Sequence, residues 1–133
     1  MGATMRYDAG ENIVHVWHPQ PVPLKTREDI EAYFEANRKF WRTHCGVKKA
    51  YFVVDFDGQS TPVEHQEHYT QCVKAAMDEC AITVVRYGGD MLQRLAARMA
   101  ATKLHVPSNV YRSREEALAV VRALRNGTMK VSS

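Results

Sequence analysis

A chain of 133 residues with 45% apolar residues, 25% charged residues and a formal net charge of +3 fits one globular domain that buries about two thirds of its unfolded surface, enough for a core without staples. No apolar run approaches the roughly 20 residues needed to cross a bilayer, and Met1-Gly2-Ala3-Thr4-Met5-Arg6 lacks an apolar signal core, so a cytoplasmic protein without a membrane span is expected. Cys45, Cys72 and Cys80 are an odd set without a CxxC pair, which argues against a disulfide framework and a cysteine-based zinc site.

Two short β-prone runs, 4–7 and 12–17, flank Asp8-Ala9-Gly10-Glu11 and read as a hairpin. His15, between Ile13 and Trp17 on one strand face, reads as a partly buried structural histidine rather than a catalytic base. Pro19-Gln20-Pro21-Val22-Pro23 predicts a stiff, extended connection poor in hydrogen bonds. Thr26-Arg27-Glu28-Asp29 then supplies an N-cap and an acidic first turn. Ile30, Tyr33, Phe34, Asn37, Phe40, Trp41 and His44 follow at helical spacing until Gly46.

Residues 49–56 predict a strand covered on both faces, because Tyr51-Phe52-Val53-Val54 is apolar without alternation. Thr61-Pro62-Val63-Glu64 predicts a capping box with proline at the first helical position, and Tyr69, Cys72, Val73, Ala76, Met77 and Cys80 form that helix's inner stripe. Residues 81–87 are a further strand. Gly88-Gly89-Asp90 closes it and caps a helix whose Leu92, Leu95, Ala96 and Met99 are expected on one inner face. Beyond Pro107-Ser108, residues 109–112 read as a short strand and Ser113-Arg114-Glu115-Glu116 as another capping box. Ala117, Val120, Val121 and Leu124 then face inward, and Gly127 stops the helix. Residues 1–126 thus form one domain and 127–133 a frayed tail. The order β-β-α-β-α-β-α-β-α is that of an α/β domain, with a mostly parallel mixed sheet, an N-terminal hairpin and right-handed βα crossovers.

Such a sheet gathers the connections 18–25, 56–60, 88–89 and 112–113 at the carboxyl ends of its strands, where ligands and partners bind. The polar members of that edge are His18, Asp57, Gln59, Ser60, Thr61, Asp90 and Arg112. Asp55 sits at a strand end like a receiver's phosphoacceptor. The acidic pair a receiver needs is replaced by Trp17-His18-Pro19, and no lysine follows the last strand. His65 and His68 are three apart rather than the four of a zinc-protease helix and read as a solvated polar turn. Gly88-Gly89-Asp90 before a helix could accept an anion, with Arg94 and Arg98 too far along the helix to help. No Ser/His/Asp order, nucleophile elbow or P-loop is present. The expectation is a non-enzyme without cofactor or metal. Charge is uneven: residues 1–85 carry 9 Lys/Arg and 12 Asp/Glu (9 − 12 = −3), and residues 86–133 carry 9 and 3 (9 − 3 = +6). The basic half has no Lys/Arg block with interleaved aromatics and reads as solvated helix faces, with no specific nucleic-acid partner.

Tyr51-Phe52-Val53-Val54-Asp55 before an exposed loop, Ile82-Thr83-Val84-Val85 in the next strand, and the ending Asn109-Val110-Tyr111-Arg112-Ser113-Arg114-Glu115-Glu116-Ala117-Leu118 carry a resemblance over about residues 5–125. The chain resembles the STAS domain, the module shared by sulfate transporters and anti-sigma-factor antagonists. The resemblance implies a STAS-like fold and a non-catalytic regulatory module that binds a protein partner, a kinase or an anti-sigma-like regulator, with a homodimer compatible. The implied partner-binding edge is Asp57, Gly58, Gln59, Ser60 and Thr61 together with Gly88 and Gly89. In the antagonists, a serine in an Asp-Ser-Ser-Gly-like loop before the second long helix is phosphorylated by the partner kinase. Ser60 is the nearest match in Asp57-Gly58-Gln59-Ser60-Thr61-Pro62, which lacks the serine-glycine pair. The alternative reading is a small-molecule or lipid-binding protein, or a minor enzyme. Its pocket would lie between the Pro-rich connection and the second long helix, with Trp17, His18, Tyr33 and Trp41 nearby.

Overall fold

The computed structural model describes residues 3–46, 48–57, 62–105 and 109–127, and the backbone of residues 59–60. In chain order the elements are β1 (Thr4–Asp8), β2 (Ile13–Trp17), β3 (Val22–Pro23), α1 (Arg27–Cys45), β4 (Ala50–Asp55) and β5 (Gln59–Ser60). A 3-10 turn (Val63–His65) leads into α2 (Gln66–Glu79), and β6 (Ala81–Tyr87), α3 (Met91–Lys103), β7 (Val110–Tyr111) and α4 (Arg114–Arg125) complete the chain. The main sheet has the order β1-β2-β4-β6-β7. Only the β1–β2 hairpin is antiparallel; β2–β4, β4–β6 and β6–β7 are parallel. The domain is therefore α/β with a mixed five-stranded sheet and four helices.

Local chemistry explains where the elements begin. The hairpin turn is held by Asp8 Oδ1 accepting from Glu11 N at 3.1 Å, and Asn12 takes the left-handed backbone (φ 59°) that its side chain tolerates. Thr26 caps α1 in a full capping box with Asp29, and Gly46 (φ 65°) ends it. Two expectations change here. The Pro-rich segment is not a bare connector, because Val22 and Pro23 pair in parallel with Gln59 and Ser60. Pro62 is the residue before the 3-10 turn rather than the first helical position, and Thr61 lies outside the described residues, as do Pro107 and Ser108.

Apolar residues alternate across the central strands and are buried on both sides. Val14, Val16, Phe52 and Val54 pack with Trp41 of α1 and Cys80 at the end of α2. Tyr33 and Phe34 of α1, Tyr69 and Val73 of α2 and Ala97 of α3 extend that layer. Ile13, Tyr51, Val53 and Val85 face the other way and meet Ala117 and Val121 of α4. Among the described residues, three helices thus lie on one face of the sheet and α4 alone on the other. Arg86 of β6 is only 2% exposed, with its guanidinium 5.0 Å from the Phe56 ring centre and 5.7 Å from that of Tyr69, so a delocalised cation is housed between aromatic faces. The hairpin turn is joined to α4 by Glu11, whose carboxylate accepts from Arg122 Nε at 3.0 Å and Arg125 Nη2 at 3.3 Å.

The inner face of α3 differs from the expectation. Ala97, Ala100 and Ala101 are buried, whereas Leu92, Leu95 and Met99 point outward with Met91, and Ala96 is half-buried. The helix carries two apolar stripes, one of alanines and one of large side chains. Alanines let α3 come close to α2 and β7, and the large residues are left on the far side. Among the described residues no helix is long and apolar enough to cross a membrane.

Candidate interaction site

The carboxyl ends of β4 and β6 are tied into one rigid edge. Phe56 N donates to Tyr87 O at 2.7 Å and Gly88 N to Tyr111 O at 3.1 Å, extending the ladder past the strands. Asp55 Oδ1 accepts from Asp57 N at 2.8 Å, and Asp57 Oδ1 accepts from Gly89 N at 2.9 Å. Gly88 has φ 79°, and a Cβ there would stand 3.0 Å from Asp57 Oδ2, so only glycine fits beside that carboxylate. Asp90 then caps α3 reciprocally with Gln93. Burial raises the Asp55 carboxyl above the ordinary range, with the hydrogen bond from Asp57 N opposing the shift.

Several expectations for this edge are corrected. The anion position at Gly88-Gly89 is filled from within: the Asp57 carboxylate holds the Gly89 N–H. Arg94 does reach back to the start of its helix, but its guanidinium donates to the carbonyls of Gly88 (3.1 Å) and Gly89 (2.7 Å). Arg98 donates to Val110 O. His18 is turned inward, its Nε2 2.9 Å from the Tyr33 hydroxyl, and burial lowers its pKa. His68 is not in a solvated turn either: its Nε2 lies 3.2 Å from Glu31 Oε2 and 3.8 Å from Cys72 Sγ. Of the remaining edge residues, Asp57, Asp90 and Arg112 are exposed and Gly88 and Gly89 half-buried. Gln59 and Ser60 form the backbone of β5, and Gly58 and Thr61 lie outside the described residues.

Among the described residues, no group of three or more His, Cys, Asp or Glu is placed to hold a metal ion. Burial pushes all three thiols up, Cys80 to about 11, so they are protonated and weakly nucleophilic at neutral pH. Tyr33 and Trp41 are built into the core beneath α1, whereas Trp17 lies on the opposite face of the sheet beside Arg6 and Arg114. Of the four residues expected around one pocket, His18 and Tyr33 therefore meet, while Trp17 lies across the sheet from them. The space between α1 and α2, lined by Tyr33, Asn37, Phe52, Tyr69 and Val73, has a volume of about 20 Å³, room for one water rather than a ligand.

The open surface beside the edge is the outward face of α3. Met91 (76% exposed), Leu92 (75%), Leu95 (50%) and Met99 (65%) recur at helical spacing from the first turn after Gly89. Val63 (78%) in the 3-10 turn is exposed as well, and the first turn of α2 meets the end of α3 through Lys103 Nζ and Glu67 Oε2 at 3.0 Å. The charges within α3 are basic, Arg94, Arg98 and Lys103, with Asp90 capping its start and Glu67 paired to Lys103 at its end. The sequence pattern turned Leu92, Leu95 and Met99 to the core and did not single out Met91 or Val63. No family model, curated protein or solved structure matches the chain.

Proposed function

We propose that this chain is a non-catalytic regulatory module that binds an acidic protein partner through the loop edge and the adjoining outward face of α3. The observation that carries this reading is the row of exposed Met91, Leu92, Leu95 and Met99. Burying one such side chain is worth about 1.5–3 kcal/mol, and scattered exposed apolar residues are ordinary where a contiguous row is not. The rigid turn at Asp57, Gly88 and Gly89 fixes the start of α3, so little ordering is required on association. Arg94 and Arg98 flank the row and favour a partner with an acidic rim; a symmetric pairing of two α3 helices would set these like charges against one another.

The STAS-like reading agrees with this placement and adds a partner kinase acting at Ser60. Mass spectrometry after incubation with that kinase tests the addition, and unchanged phosphorylation of Ser60→Ala would remove it. The main reading is tested by isothermal titration of the purified partner against wild type and against a Leu92→Glu/Met99→Glu double variant. The variant should bind at least tenfold more weakly with an unchanged melting temperature, and wild-type binding should weaken with salt. Equal binding by the two proteins would overturn it. A concentration-dependent dimer in sedimentation, abolished by the same substitutions, would replace the acidic partner with a second copy.

A further inference from the structure

The face of the sheet opposite α1–α3 is incompletely covered. At 12 residues, α4 is about 18 Å long; it packs on β4, β6 and β7, and its far end is held to the hairpin turn by Glu11. The upper ends of β1 and β2 stay open, which leaves a cavity of about 400 Å³ lined by Arg6, His15, Trp17, Asp55, Tyr87 and Arg114. Strand register makes this a built arrangement. Arg6 is directly opposite His15, and His15 opposite Val53; two residues farther along, Asp55 is opposite Tyr87. Period-two alternation puts Trp17 on the same face as His15.

The two ends of the cavity differ in charge. At one end Arg114 Nη2 lies 3.4 Å from His15 Nδ1, and Arg6 stands on the neighbouring strand. Among the described residues neither guanidinium has a carboxylate in ion-pair range, while Glu11 is already engaged by Arg122 and Arg125. His15 is 6% exposed, and burial followed by the two arginines lowers its pKa; the cationic end is therefore two guanidiniums around a neutral imidazole. At the other end, one strand repeat or about 6.6 Å away, are the half-buried Asp55 carboxyl and the Tyr87 hydroxyl, with the Trp17 indole alongside.

We infer that this cavity binds a small planar-ring compound that carries a carboxylate or phosphate at the Arg6–His15–Arg114 end and presents a hydrogen-bond donor to Asp55. The volume falls within the range of small-molecule sites. Paired guanidiniums match the oxygens of carboxylate and phosphate groups alike. The two exposed guanidiniums outweigh the acids Asp8 and Glu11 that also act on His15, and an anion between them gains from that positive excess. The site lies across the sheet from α3 and meets the partner surface proposed above at Asp55, whose Oδ1 accepts from Asp57 N.

Backbone-amide and indole NMR shifts on the full chain, at fixed ionic strength, test the inference with 4-hydroxybenzoate and phenyl phosphate as probes and with phenol and inorganic phosphate as their separate halves. At least one ring-bearing anion should shift Arg6, His15, Asp55, Tyr87, Arg114 and the Trp17 indole saturably, at least tenfold more tightly than either half. Which of the two does so distinguishes carboxylate from phosphate. An Arg6→Gln/Arg114→Gln variant, altered only at exposed residues, should weaken binding at least tenfold while its melting temperature stays unchanged. The inference is overturned if neither ring anion gives saturable shifts at these residues, if a half binds as tightly as the whole, or if the variant binds like wild type.

Discussion

Helices α3 and α4 are nearly the same length and begin in the same way, with Asp90 accepting from Gln93 N and Ser113 from Glu116 N. Their apolar residues end up in opposite places. α4 buries Ala117 and Val121 against Tyr51, Val53 and Val85, half-buries Leu118 and Leu124, and anchors its last turn to Glu11 through Arg122 and Arg125. α3 buries only alanines and presents its leucines and methionines to solvent. The contrast teaches that helical periodicity groups side chains on faces, but what lies beside the helix decides which face is inside. Where the neighbour is close, small residues win the inner position.

The contrast can be broken most decisively by putting one charge on each helix. Val121→Asp should destabilise the domain by about 4 kcal/mol or more, since the site is fully buried and offers a carboxylate no partner. Leu95→Asp should change stability by about 0.5 kcal/mol or less. Urea denaturation reads both, and equal losses would mean that the outer row of α3 is inside after all. A middle-sized effect is expected at the caps: Asp90→Ala and Ser113→Ala should each cost about 1 kcal/mol, and near-equal values would assign the difference between the helices to packing alone.

The smallest effect concerns the Glu11 anchor, which only α4 possesses. The hydrogen bond from Arg122, with Arg125 adding to it, holds the Glu11 carboxyl at about 2, below its ordinary 4.5. A depressed carboxylate contributes stability that is complete above the ordinary value and is lost as pH falls through the folded one. The gap in melting temperature between wild type and Glu11→Gln should therefore be present in full at pH 6 and mostly lost by pH 2. A gap that persists in full at pH 2 would detach the anchor from the carboxylate's charge.

Short-range chemistry was legible in the chain. Thr26, Asp90 and Ser113 announce their helices, Gly10 the hairpin, and Tyr51-Phe52-Val53-Val54 a strand buried on both faces, because each feature acts within a few residues of itself. The missed features join distant segments. The β3–β5 ladder is two residues long and leaves almost no pattern. Asp57 accepts from Gly89 N across 32 positions, and Arg114 meets His15 across 99. The edge residues Asp57, Gly88 and Gly89 were found as a group, but the use of the Asp57 carboxylate as the anion on that turn required the fold. The cavity's register was hidden as well: strands at 4–7 and 12–17 around a turn at 8–11 would set Arg6 against Ile13, whereas the hairpin pairs Asp8 with Ile13 and thereby Arg6 with His15.

The margins of the sheet restrict how this domain can be recruited. One border strand, β1, carries Arg6 and Asp8, and the other, β7, is two residues long. Charge on one border and brevity on the other discourage a foreign strand from continuing the ladder. Main-chain zippering, the recognition mode that demands least of side-chain identity, is thereby disfavoured at both borders. Under the proposed function, selection of the partner then falls to shape and charge on the helical surface, and the same borders offer a second copy little ladder to extend.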